Sequence, residues 1–343
     1  MTFLYNNVYL NEVSTITGPY EAKGPFNKLY DKSYNEFYFG KKSFEEAEIK
    51  LIEESVDVLL KKSKTSRDNI DLFISGDLLN QIGASSYASV SIGIPYLGIY
   101  SACASSMEGF IIASNMIENR QIKNAIISTS SHNLSAEKQF RYPVEYGGPK
   151  KKYSTFTVTG GASALLSSKV SDIKVTSSTI GKTIDLGIKD VNNMGAVMAP
   201  AAAETIYNHL KDTKREVGYY DLILTGDLGR YGKDILKEYM QTEYNIDLYN
   251  LNDSATMIYD LDKQPAYAGG SGPACLPLVT YSYIIDKMKK GELSRVLLVA
   301  TGALLNSSLV NQKISIPSIA HAVSLEVIKW HMCIHFYSQE QFV

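Results

Sequence analysis

The sequence predicts an α/β protein built from two duplicated halves related by a pseudo-twofold axis, stacked as five layers, α-β-α-β-α. Three observations carry this expectation. Leu72-Phe73-Ile74-Ser75-Gly76-Asp77-Leu78 recurs 150 residues on as Leu222-Ile223-Leu224-Thr225-Gly226-Asp227-Leu228, with Leu, Gly, Asp and Leu unchanged. The amphipathic run Ala47 to Leu60 recurs at the same shift as Val197 to Leu210. Gln121 to Ile127 recurs 171 residues on as Glu292 to Leu298, each copy closing a helix-sized segment and opening an apolar β-run. Short apolar strands alternating with helix-length runs imply a mostly parallel sheet covered on both faces in each half. The expected division is an amino-terminal half over 1–170, a second half over 171–325 and an unmatched tail over 326–343. A site at the junction would take one loop from each half.

The elements follow in order. Met1 to Gly40 is rich in Gly, Pro, Tyr and Asn and reads as irregular. Ser43 is placed to cap a helix whose first turn holds Glu45 and Glu46, which suits the helix dipole. Leu72 to Ser75 reads as a buried strand, Asn80 to Ser86 as a polar loop and Ile92 to Tyr100 as a second strand. Small residues, Ser101 to Ser106, then turn into a helix over Met107 to Asn119. Ala125 to Thr129 is a strand. Lys138 to Lys152 is a Tyr-, Pro- and Gly-rich excursion, long enough to cover a site. Thr155 to Ser167 returns as a strand. The second half repeats this as a strand over Lys174 to Gly181, a helix over Met194 to Leu210, the strand Leu222 to Thr225 and a helix over Lys233 to Glu243. Tyr267 to Gly272 then turns into a helix near Leu278 to Lys289, and Arg295 to Thr301 and Ile319 to Ser324 are the last strands.

Composition narrows the function. Hydrophobic residues make up 45% of 343, ordinary for a globular protein with a sizeable core. A net charge of -2 and a pI near 6.2 give no general attraction to nucleic acid or anionic membranes. The sparse cysteines, Cys103, Cys275 and Cys333, fit a reducing compartment and no disulfide framework. No run approaches the roughly 18 apolar residues of a membrane span, and Met1 to Gly18 lacks the pattern of a signal peptide.

Cys103 is the sharpest chemical feature. A thiol where a strand ends and a helix begins meets free backbone N–H groups and the positive helix end, which favour thiolate. A small buried hydrophobe is the alternative, and both readings stay open on the residues alone. Asp77 and Asp227 suit turns and helix caps, although Asp227 also faces the expected junction. His132 and Asn133 follow a strand at its carboxyl end, where ligands sit in open α/β sheets; a hydrogen-bonded structural histidine competes with that role. His209 lies on a helix ending in Lys211 and is expected at the surface. His331, Cys333 and His335 have ligand-like spacing but no fourth partner, so no metal is assigned. Gly160-Gly161 lacks the spacing of a nucleotide loop.

At these residues the chain resembles the thiolase superfamily, whose nucleophilic cysteine occupies this turn in the first of two duplicated halves. Within it, the chain is similar to a sporulation branch from endospore-forming bacteria. The resemblance rests on SGDLLNQ at Ser75 to Gln81, Ala102-Cys103 with Ser106-Met107-Glu108-Gly109, and TSSHNLSAEKQFRYPVEYGG at Thr129 to Gly148. Gly187 to Asp190, Asn192 to Ala196, Ala199 to Ala203, Thr225 to Gly229 and His321-Ala322-Val323 add to it. It implies a thiolase-like fold and a homodimer paired through the strand at Ile92 to Tyr100. It also implies non-catalytic binding of dipicolinic acid (pyridine-2,6-dicarboxylate) for uptake into the developing spore. The protein would then lie at the inner spore membrane beside channel subunits.

Condensing enzymes of the superfamily bring a histidine from second-half loops, whereas here Gly226-Asp227-Leu228-Gly229 and Gly269-Gly270-Ser271-Gly272 contain none. An ionised aspartate cannot donate to an oxyanion, so a pocket without catalytic residues, cofactor or metal is expected. The expected ligand contacts are Cys103, His132, Asn133, Asp227, Gly269, Gly270, Ser271 and Gly272, with Tyr142 and Tyr146 stacking on the ring. The rival expectations are an acyl-transferring enzyme using Cys103 with His132 or His321 as base, and a structural adaptor for channel subunits.

Overall fold

The computed structural model describes residues 1–140 and 150–328. Tyr142, Tyr146 and the His331, Cys333, His335 group therefore lie outside the described residues. The first half runs β1 (Thr2–Leu4), β2 (Tyr9–Thr17), β3 (Lys32–Ser33), α1 (Phe44–Ser63), β4 (Leu72–Gly76), α2 (Gly83–Ile92), β5 (Tyr96–Gly98), α3 (Ser105–Glu118), β6 (Asn124–Ser131), α4 (Asn133–Phe140), β7 (Phe156–Thr157) and β8 (Gly160–Ser167). The second runs β9 (Ile173–Ile180), α5 (Met194–Thr213), β10 (Leu222–Thr225), α6 (Gly229–Tyr244), β11 (Leu251–Asp253), α7 (Ser254–Met257), β12 (Gly270–Ser271), α8 (Cys275–Val279), α9 (Ile285–Lys289), β13 (Arg295–Ala303), α10 (Ser307–Asn311) and β14 (Ser318–Val327). A π-helical turn, Thr280–Ile284, joins α8 to α9 as one rod.

The duplication read from the sequence is present in the backbone. α1 and α5 start and end 150 residues apart, and each closes on a lysine, Lys64 and Lys214, in the left-handed region. β6 and β13 begin 171 residues apart. The strand order β5-β4-β6-β8-β2 in one half mirrors β11-β10-β13-β14-β9 in the other, and β2 meets β9 to join them. α1 and α2 cover the outer face of the first set of strands, and α5 and α6 that of the second. α3 packs on β4 and β6 on one side and on β13 and β14 on the other, so the central helical layer is shared. Alternation does the sorting: Phe73 of β4 faces α1 and α2, while Ile74 faces the central layer.

Four expectations need correction. Each half is evenly mixed rather than mostly parallel: β4 pairs β5 and β6 in parallel, but β8 runs antiparallel to both β6 and β2. The amino-terminal stretch is not irregular, because β2 is a central strand. Its Ser and Thr side chains hide the apolar alternation, and they are satisfied inside: Ser14 Oγ donates to Ser55 O at 2.6 Å. The supposed loop and strand between Asn80 and Tyr100 are mainly helix α2, ended by Gly93 at φ 68°, leaving only Tyr96–Gly98 as strand. Finally, the expected strand over Thr155 to Ser167 is split, and its first piece, β7, pairs with β12 instead.

His209 is also not at the surface. It is fully buried, with Nδ1 2.8 Å from Thr179 Oγ1 and Nε2 2.7 Å from Tyr220 Oη. Burial, with Arg215 nearby, lowers its pKa to about 3, so the ring is neutral.

Candidate functional site

The turn carrying Cys103 is built by tight local bonding. Ser101 N–H donates to Ser105 Oγ at 3.0 Å, and Ser105 Oγ–H donates to Ala102 O at 2.8 Å. Ala102 takes φ 49°, a left-handed value that costs a non-glycine residue about 1 kcal/mol and redirects the chain into α3. Cys103 is thereby presented, half-buried, to a small cavity, open to solvent, with about 70 Å³ available to the centre of a water-sized sphere. Leu78, Met194, Met198 and Leu305 give it apolar walls, while Tyr100, Thr155, Thr157, Ser271 and Glu137 supply polar groups. Both halves contribute, as the duplication implied.

Of the residues expected at the site, Cys103, Ser271 and Gly272 line this cavity. Gly272 has φ 109°, and a Cβ there would lie 2.6 Å from Ser131 Oγ, so only glycine lets this wall close against β6. Gly269 and Gly270 are not among the lining residues. They press instead on Ala255 O and on the Ile258 and Val158 side chains, which holds β12 against β7. Asn133 stands behind the wall: its Nδ2 donates to Thr157 O at 3.2 Å and its N–H to Thr159 Oγ1 at 3.0 Å.

His132 is engaged elsewhere. Its Nε2 is 2.8 Å from Phe37 O and its Nδ1 lies 3.2 Å from Leu134 N–H, which fits the neutral tautomer protonated on Nε2. The ring packs among Phe37, Phe39 and Phe44, and burial lowers its pKa to about 4. His321, on β14, has Nε2 3.5 Å from Ser101 Oγ at the base of the cysteine turn, and burial lowers it to about 4. No histidine occurs among the described residues lining the cavity.

The repeated aspartates have diverged. Asp77 accepts Leu79 N–H at 2.8 Å and Ser85 N–H at 2.7 Å, fastening the start of α2 as expected of a cap. In the second half Asp253 has taken that task. It accepts Leu228 N–H at 3.2 Å, Gly229 N–H at 2.9 Å and Thr225 Oγ1–H at 2.7 Å. Asp227, at φ 54°, is left fully buried with neither carboxyl oxygen hydrogen-bonded. Burial first, then Asp253, push its pKa well above the usual carboxylate range. Gly272 N–H and the Cys275 thiol oppose that shift without reaching hydrogen-bond geometry. Asp227 thus stands behind the Gly272 wall rather than in the cavity.

Several cavity residues were not singled out in the sequence: Tyr100, Glu137, Thr155, Thr157, Met194 and Met198. Glu137 sits inside the specific SSHN…EKQF run, but helical direction alone decides that it faces the cavity while Lys138 pairs outward with Glu45 at 2.7 Å.

Comparison with known proteins agrees with this geometry. Solved structures of similar architecture include OleA of Xanthomonas campestris, at a TM-score of 0.60 and 15% identity over 94% of this chain and 99% of that one. 3-Oxoacyl-(acyl carrier protein) synthase III, FabH, of Xanthomonas oryzae pv. oryzae matches at a TM-score of 0.56 and 13% identity over 94% of this chain and all of that one. At such identity they show the thiolase-like fold alone. The stage V sporulation protein AD of Bacillus subtilis (strain 168) is 45% identical over 320 residues, covering 93% of this chain and 94% of that protein. The family model described as stage V sporulation protein AD (SpoVAD) matches residues 1–326. On these grounds the chain belongs to the stage V sporulation protein AD family.

Proposed function

We propose that the chain binds dipicolinate, without turning it over, in the cavity beside Cys103, and that this serves uptake of the ligand into the developing spore. The observation that carries the reading is a thiolase-type cavity that keeps the cysteine turn yet has no histidine among its described lining residues. Condensing chemistry needs a donor to the thioester oxyanion and a group to move a proton. Here His132 has both ring nitrogens engaged and Asp227 is withdrawn behind Gly272. A planar ring suits the apolar lining that Leu78 and Met198 contribute, and its carboxylates suit the hydroxyls of Thr157 and Ser271. Calorimetric titration with dipicolinate should give saturable binding of one ligand per chain. Cys103→Ala should weaken it by about 1–2 kcal/mol, the scale of one lost polar contact. Acetyl- and malonyl-CoA should yield no product, and Cys103-dependent turnover would restore the enzyme reading.

The protein would act as a homodimer. β5 is an edge strand, and near it Leu97, Tyr100, Tyr87 and Val90 are all exposed, an apolar margin that a second copy would cover. No described helix is long and apolar enough to cross a membrane, so attachment to the inner spore membrane would pass through channel subunits. Purified protein should sediment with a dimer's mass and leave protein-free liposomes unbound; a monomer, or strong liposome binding, contradicts this assembly.

A further inference from the structure

We propose that Lys150 and Glu137 set the cavity's affinity for a dicarboxylate in opposite directions: Lys150 receives a ligand carboxylate, and Glu137 competes for the same ammonium. This rests on the dicarboxylate reading above. Glu137, on α4, is the one acidic or basic side chain among the described residues lining the cavity, and it is only 6% exposed. A buried carboxylate is costly unless a cation stands beside it. Among the described residues that cation is Lys150, whose Nζ lies 2.7 Å from Glu137 Oε1 and whose side chain is itself 21% exposed. The ammonium also stands 4.9 Å from the centre of the buried Phe156 ring, a contact that restrains it beside Glu137.

Neighbouring cations are turned outward. Lys151 pairs with Asp190 at 3.2 Å and Lys138 with Glu45 at 2.7 Å, with side chains 52% and 63% exposed. Among the described residues, Lys150 is the cation paired with the charged side chain that lines the cavity. A dianion brings two carboxylates to a wall that holds one carboxylate and one ammonium. Repulsion from Glu137 opposes it, and an ammonium with three donors can bridge or transfer to the ligand. A pair that merely fastened α4 to the segment entering β7 would behave differently, because loss of either partner would then weaken the site alike.

The test is calorimetric titration of the full chain with dipicolinate, using the wild type, Lys150→Met, Lys150→Arg and Glu137→Gln. Lys150→Met should weaken binding roughly tenfold, the scale of one charge-assisted hydrogen bond. Lys150→Arg should stay close to the wild type, and Glu137→Gln should bind several-fold tighter, a gain that damage to the fold cannot mimic. Should Lys150→Met fail to fold, tighter binding by Glu137→Gln still carries the proposal. Equal weakening by both neutral variants, or no change in either while the wild type binds, overturns this inference alone. A flat wild-type titration overturns the dicarboxylate reading and this inference with it.

Discussion

Gly302→Ala should cost about 3 kcal/mol of stability and abolish ligand binding, a large effect for a single methyl group. Gly302 lies in β13, paired with Ile319 of β14, directly beneath the cysteine turn. A Cβ there would sit 2.2 Å from Ser101 O, 3.1 Å from Ala104 N and 3.3 Å from Ala104 Cβ. Two of these are backbone atoms, which no rotamer change moves aside. Either β13 leaves its register or the turn from Ser101 to Ala104 lifts, and the second displaces Ala102 and Cys103 from the cavity wall. Urea unfolding and ligand titration of the variant read both consequences. Wild-type stability with intact binding would mean that the strand and the turn are not packed as described.

Stability should also fall as pH rises from about 7 to 8.5. Four fully buried acids carry this effect, one of them Asp227, whose pKa stands well above the usual carboxylate range. Burial raises Glu21 to about 7 and Asp253 to about 7; burial, with Asp77 beside it, raises Glu48 to about 8. A folded pKa above the unfolded one means that the native state keeps protons the unfolded chain has already released. The slope of unfolding free energy against pH is then negative from the ordinary carboxylate pKa up to the folded value. The buried histidines act in the opposite sense and lower down. His132, His209 and His321 are lowered to about 4, 3 and 4, so their penalty grows as pH falls below about 6.5, where the unfolded imidazoles take up protons. Above pH 7 the acids dominate, and the loss should be at least about 2 kcal/mol by pH 8.5. Thermal unfolding across this range checks it, and Glu21→Gln should flatten the profile. A midpoint that rises with pH would show that these carboxyls are ionised in the fold.

What the residues disclosed and what they hid has a physical pattern. Self-similarity was legible because helix α1 and helix α5 need the same apolar spacing to cover equivalent strands, and insertions between them fell in loops. The cysteine turn was legible because Ala102, Ala104 and Ser105 leave few other uses for such small residues at a strand end. β2 was hidden because its buried positions include Ser14 and Thr15, whose hydroxyls donate to Ser55 O on α1 and to Asp31. The pseudo-symmetry itself misled at Asp227. Equal sequence suggested equal capping, but Asp253, from a strand with no acidic counterpart in the first half, had assumed that role. His209 reads as a surface residue beside Lys211, yet a single helical turn carries it from solvent to the Thr179 and Tyr220 hydroxyls. Pairing of Glu137 with Lys150 crosses a long excursion, and no local spacing announces it.

Protection of Cys103 from alkylation tests the central claim most directly, because it asks whether the ligand occupies this cavity and leaves the thiol unmodified. The full chain is treated with iodoacetamide at increasing dipicolinate, and the Cys103 peptide is followed by mass spectrometry. Cys275, fully buried, should stay unlabelled and reports that the fold is intact. The account predicts that Cys103 labelling slows in a saturable way, with half-protection at the calorimetric dissociation constant, and that the thiol is recovered free once the ligand is removed. An unchanged labelling rate at ligand concentrations that saturate the calorimetric signal would place the ligand elsewhere, and a covalent adduct on Cys103 would contradict binding without chemistry.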